Sequence, residues 1–128
     1  MRLLLVCLGG AIGSGARYLT ALWAASAMGP AFPFGTLIVN LLGSFLIAFI
    51  MHIGSATEML SPELRVMLTT GVMGGFTTYS TFSYETMRYL QDGTWALALL
   101  NVAVTTVVCL AACFLGWGLA QWLAGPSV

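Results

Sequence analysis

Lysine is absent from this 128-residue chain, and four arginines and four acids supply all of its formal charge, 6% of the residues. Soluble domains carry about 25% charged residues. Eight charges cannot cover a soluble surface of this size, so the composition points to lipid as the solvent. With no net charge and no Lys/Arg-rich run, the chain has nothing to grip a phosphate backbone, which excludes nucleic acid as a partner. There is one histidine, His52, and there are three cysteines, Cys7, Cys109 and Cys113, all in apolar segments. An odd count with no polar context argues against a disulfide framework. The lone histidine on a separate segment leaves Cys109 and Cys113 short of a metal site. No Ser-His-Asp set or phosphate-binding loop is present, so an enzyme is not expected.

What the chain has is hydrophobicity: 59% of its residues are apolar. Four apolar segments are predicted as membrane-crossing helices of a single all-α domain, at about 3–27, 35–53, 62–90 and 95–123. The first resembles a signal peptide at Arg2 and the run after it, but continues past Arg17 and is too long for one. Gly29, Pro30 and Pro33 separate the first two segments. Ser61 before Pro62 reads as a helix start, and Gly93 as a C-terminal cap. Trp23, Tyr89, Trp95 and Trp122 fall near segment ends, as interfacial aromatics do. Two glycine pairs at four-residue spacing, Gly9 with Gly13 and Gly71 with Gly75, would let helix backbones approach closely, within or between subunits.

Polar residues at membrane depth are costly and mark function or helix contacts. Asn40 in the second segment is either interhelical glue or a donor facing a polar pathway. Arg17 either snorkels to the interface or draws anions into a vestibule. Glu85 and Arg88, three apart, are placed to pair on one face. Asn101, Thr105, Cys109 and Cys113 form a stripe on the fourth helix, either back-bonded to the helix or forming one wall of a polar groove. The densest polar stretch is GGFTTYSTFSYE, Gly74 to Glu85, with two glycines and five Ser/Thr in twelve positions. Gly74, Gly75, Thr77 and Thr78 disfavour a helix and predict a break near 74–78. Broken backbone at this depth requires a protein-lined or polar cavity, where freed carbonyls can ligate a cation and N–H groups can face an anion. Beyond the break, Tyr79 and Phe82 share a face among the hydroxyls of Ser80, Thr81 and Ser83. Aromatic ring edges carry partial positive charge and suit a small anion.

These residues resemble the bacterial fluoride channel family (Fluc/CrcB). GGFTTYSTFSYE is similar to that family's third-helix signature and GTLIVN to its second-helix motif, and the resemblance spans essentially the whole chain. It implies an antiparallel, dual-topology homodimer in the bacterial inner membrane, passively exporting fluoride, conferring fluoride resistance and excluding chloride. It also implies a structural sodium ion at the dimer centre, held by the carbonyls of Gly74 and Thr77, with no further protein partner. The anion pathway would use Asn40, Tyr79, Phe82, Ser80, Thr81 and Thr105, followed by Cys109 and Cys113. Arg17 and Glu85 would occupy the charged vestibule positions. Tyr79 stands where the family usually has Phe, and Cys109 and Cys113 are weaker donors than the usual serines. A proton-coupled multidrug exporter would share the size and four spans but needs an acid in the first helix, where this chain has none. A non-transporting subunit would not account for hydroxyls gathered at a helix break.

Four crossings place both termini on one side, with Arg2 and Arg65 there and Arg88 on the other, a weak positive-inside bias. Insertion in both orientations follows. Accessibility labelling of a terminal tag in intact and opened membranes should find the tag on both faces, and a single labelled face would contradict it.

Overall fold

The computed structural model describes residues 1–126, all helix and short connections. Helix α1 runs over Arg2–Met28, α2 over Phe34–Ala56 and α6 over Trp95–Ala124. These three are long and apolar enough to cross a membrane. The remaining crossing is built from pieces: α3 (Pro62–Val66), a π-helical stretch at Met67–Met73, α4 (Gly74–Phe76) and, after a gap at Thr77 and Thr78, α5 (Tyr79–Gln91).

Local chemistry sets the ends. The Ser61 hydroxyl accepts from Leu64 N–H, and Pro62 occupies the first turn, where a missing N–H costs nothing. Gly93 takes φ 76° after α5, as a residue without Cβ can. At the same side of the bundle as the start of α3, Arg2 donates to Glu63 at 3.3 Å. The buried His52 ring bonds the Gly125 carbonyl at 2.8 Å, tying the end of α2 to the end of α6. These contacts place the N-terminus, the α2–α3 connection and the end of α6 on one side.

With lipid outside, packing rests on small residues that let backbones close up. The glycine pairs lie within one subunit: Gly9 and Gly13 of α1 meet Gly71 and Gly75 of the third crossing. A Cβ on Gly9 would fall 2.6 Å from the Met67 carbonyl oxygen, and one on Gly75 would fall 2.5 Å from the Gly10 oxygen. A second seam joins α2 to α6, where Gly116 lies against the Phe45 backbone and Ala112 and Ala120 are buried. The first half of the third crossing therefore packs on α1 and its second half on α6. The gap at 77–78 is where the chain changes partners.

One expectation is sharpened and another corrected. The glycines do not break the helix: Gly74 keeps helical angles (φ −61°, ψ −37°), and the break comes at Thr77 (ψ 158°) and Thr78 (φ −152°, ψ 110°). Gly75 is required for close approach to α1. Glu85 and Arg88 do not form an ion pair; among the described residues the only one is Arg2–Glu63, exposed and worth about 0–1 kcal/mol. Glu85 instead accepts a hydrogen bond from α2. The π-helical turns had no signature in the sequence; such turns concentrate at functional positions.

The seam makes a direct prediction. Gly75→Ala should destabilise the folded protein by about 1–3 kcal/mol, the usual cost of overpacking. Gly10→Ala, whose Cβ would meet nothing within 4 Å, should leave stability unchanged or slightly raised. Denaturant titration in detergent micelles reads both.

Candidate functional site

The gap at Thr77–Thr78 exposes backbone that a continuous helix would satisfy, and Asn40 answers it from α2. The Asn40 side-chain oxygen accepts from Thr78 N–H at 2.8 Å, and its amide nitrogen donates to the Thr78 carbonyl at 3.1 Å. Both groups of one residue are thereby satisfied by one side chain, and the pair fixes which way the amide points. A buried amide left unpaired costs about 1–3 kcal/mol, so the two bonds are what permit an extended residue at this depth. Gly43, one turn on from Asn40, makes room for the Thr77 methyl; a Cβ there would collide with it.

Thr78 also starts the next helix. Its hydroxyl accepts from Thr81 N–H at 3.2 Å, donates to Thr81 Oγ1 at 2.9 Å and lies 3.4 Å from Ser80 Oγ. The hydroxyls of Ser83 and Thr86 donate to the carbonyls of Tyr79 and Phe82. The hydroxyl-rich run is thus spent largely on capping and back-bonding α5.

A groove of about 440 Å³ opens beside the break. Asn40, Tyr79, Phe82, Thr105, Cys109 and Cys113 all line it, contributed by α2, α5 and α6. The two rings lie 5.6 Å apart, inclined at 50°. Phe82 is only 9% exposed and held in the core, whereas Tyr79 is 80% exposed, its ring out over the groove. Asn40 keeps a second amide hydrogen that neither bond to Thr78 uses. Thr105 is fixed from below: its hydroxyl donates to Asn101 Oδ1, Asn101 Nδ2 donates to Thr86 Oγ1, and Thr86 donates to the Phe82 carbonyl. This relay links α6 to the residue bearing the buried ring, and Asn101 is 1% exposed.

Ser80 and Thr81 stand apart from that wall. Thr81 lines two smaller cavities on the α5 side of the break, of about 420 and 280 Å³, and Ser80 lines none of these. Arg17 borders the smaller of the two and Glu85 the larger, with Thr36 shared between them. Thr36 donates to Glu85 Oε1 at 2.6 Å, while Glu85 Oε2 is buried without a partner. Gly74 is exposed just before the break, and Thr77, inside it, lines the groove beside Gly43 of α2. The Thr78 N–H that a continuing helix would direct at the Gly74 carbonyl goes to Asn40 instead. Sequence reading missed Thr78 as a cap, although Thr78 with Thr81 three residues on is a recognisable capping spacing. It also missed Thr36 and Gly43, whose roles depend on which helices meet.

The protein-family comparison matches residues 4–117 to the family described as CrcB-like protein, Camphor Resistance (CrcB). A protein of Anaeromyxobacter dehalogenans named fluoride-specific ion channel FluC is 56% identical over 97% of this chain and 98% of its own length. Proteins of the same name from Sorangium cellulosum (53% identical, 91% of each chain) and Geobacter metallireducens (50%, 87% of this chain and 90% of the other) are similar at nearly full length. Asn40 clamping a broken third crossing in a chain of this length, and similarity that runs almost end to end, lead to one conclusion: the chain belongs to the CrcB-like family.

Proposed function

We propose that this protein is a fluoride-selective channel of the bacterial inner membrane, releasing fluoride passively and conferring resistance to it. The observation that carries the reading is the groove at the break, where the spare Asn40 donor and the Tyr79 and Phe82 rings converge and Thr105 lines the wall. The names of the relatives support it at high identity. Fluoride is small and strongly hydrated, so a pathway must supply donors where water is stripped. Asn40 supplies an N–H held rigid by its bonds to Thr78, and ring edges supply partial positive charge without a full countercharge. Arg17, beside the cavity on the α5 side, draws anions toward the break, and Ser80 and Thr81 act through the cap that orients the two rings.

The working unit is an antiparallel homodimer. A single chain gives the groove one wall, with Tyr79 and Leu110 exposed along its open side, and a second copy supplies the other. The carbonyls of Gly74 and Thr77 are the donors for a structural sodium ion at the dimer centre. Their chemistry fits: neutral oxygens suit a hard cation, Gly74 loses its helical N–H partner to Asn40, and Thr77 lies in extended backbone. Among the described residues no cluster of His, Cys, Asp or Glu offers a rival cation site. When bound, the ion adds fixed positive charge between the two pathways and is not carried.

Liposomes loaded with fluoride and holding the purified protein should release it rapidly to a fluoride electrode, with negligible chloride release from matched vesicles. Phe82→Ile should slow fluoride release by at least about tenfold, a barrier rise of about 1.4 kcal/mol. Retention of the wild-type rate would remove Phe82 from the pathway. Radioactive sodium should not accompany the fluoride, and coupled movement would show that the cation is transported.

A further inference from the structure

Beyond Cys113 the groove does not end at a wall. A second cavity of about 580 Å³ lies between α2 and α6 toward the side that holds both termini, and Leu110 and Cys113 border both cavities. Phe114 and Trp117 of α6 form one flank, with His52 and Ser55 of α2 opposite. His52 is pinned to the Gly125 carbonyl and set edge-on to Trp117, with ring centroids 6.4 Å apart, so this flank is built and not slack.

Arg65 closes the far end. Its Nη1 donates to the Gly54 carbonyl at 3.2 Å, and its stem rests on Gly54, where a Cβ would fall 2.6 Å from the arginine Cδ. The position is fixed by a neutral acceptor, which leaves the charge in place. The nearest acid in sequence, Glu63, is engaged by Arg2 instead, in the only ion pair among the described residues. A guanidinium has five donors, and the bond to Gly54 leaves others free toward the cavity. Among the described residues no carboxylate pairs with Arg65, and a cation so placed at the end of a low-dielectric furrow raises the local concentration of anions.

We infer that Arg65 forms the second mouth of the anion pathway, gathering the permeating halide on the terminus side after the run Thr105, Cys109 and Cys113. This deepens the channel reading and rests on it. Arg17 serves the opposite side of the break, so the two arginines bracket the path. A different role is open to an interfacial arginine, anchoring a lipid phosphate headgroup, and the two separate by experiment because only the mouth role acts through the concentration of a mobile anion.

The test is fluoride efflux from liposomes by wild type, Arg65→Gln and Arg65→Lys. Each is measured with an impermeant salt at about 0.01 M and about 1 M, where the Debye length is about 30 Å and about 3 Å. Glutamine can still donate to Gly54 but carries no charge, and lysine keeps the charge without the fork. Arg65→Gln should run roughly tenfold below wild type at low salt and low fluoride, the lower end of steering gains in charged clefts. That gap should narrow at high salt or saturating fluoride, and Arg65→Lys should recover most of the rate. A glutamine variant equal to wild type at low salt overturns the proposal. So does a deficit that ignores both salt and fluoride concentration, the signature of a headgroup anchor or a structural role. If wild type itself releases no fluoride, the channel reading fails and this mouth fails with it, an outcome distinct from a failed contrast among the variants.

Discussion

One side chain decides how the third crossing is built. Backbone groups facing lipid must be paired, and the gap would leave both groups of Thr78 without a helical partner. Asn40 satisfies both, at 2.8 and 3.1 Å, from a neighbouring helix. Once that clamp is present, the break becomes a fixed feature. α5 starts afresh under the Thr78 cap, its aromatic residues turn to face α2 and α6, and the preceding segment is free to pack on α1 through glycine. Without it, a continuous helix would direct Thr78 N–H back to the Gly74 carbonyl and close the space where the groove lies.

The same clamp connects packing to chemistry. One amide hydrogen and the oxygen of Asn40 hold the backbone, and the residue also lines the groove. The polar stripe on α6 divides in a similar way. Asn101 is buried in a relay between α5 and α6, Thr105 both joins that relay and lines the groove, and Cys109 and Cys113 line the groove outside that relay. The relay thus involves the stripe only at Asn101 and Thr105.

Much of the fold was legible in the sequence because hydrophobic length and helix punctuation are local signals. Ser61–Pro62, the Gly29–Pro33 interruption and Gly93 mark ends that the structure places within a few residues. The break was legible as a region and not as a residue. Gly74, Gly75, Thr77 and Thr78 together looked like the weak point, but glycine serves two purposes, and here Gly75 is required by α1 at a backbone-to-backbone approach that no linear pattern reveals. Thr36 with Glu85 and Gly43 with Thr77 were hidden for the same reason, since each pairs residues more than thirty positions apart. Arg65 looked like a topology signal because the contact that holds its side chain, to the Gly54 carbonyl of α2, lies on another helix.

The central claim is that the Asn40 amide both holds the break and faces the anion path. Fluoride efflux from liposomes containing Asn40→Asp tests it most directly. Aspartate can still accept from Thr78 N–H, but it cannot donate to the Thr78 carbonyl and it sets a negative charge in the groove. The account predicts release no faster than from protein-free vesicles. Fluoride release at the wild-type rate would contradict it.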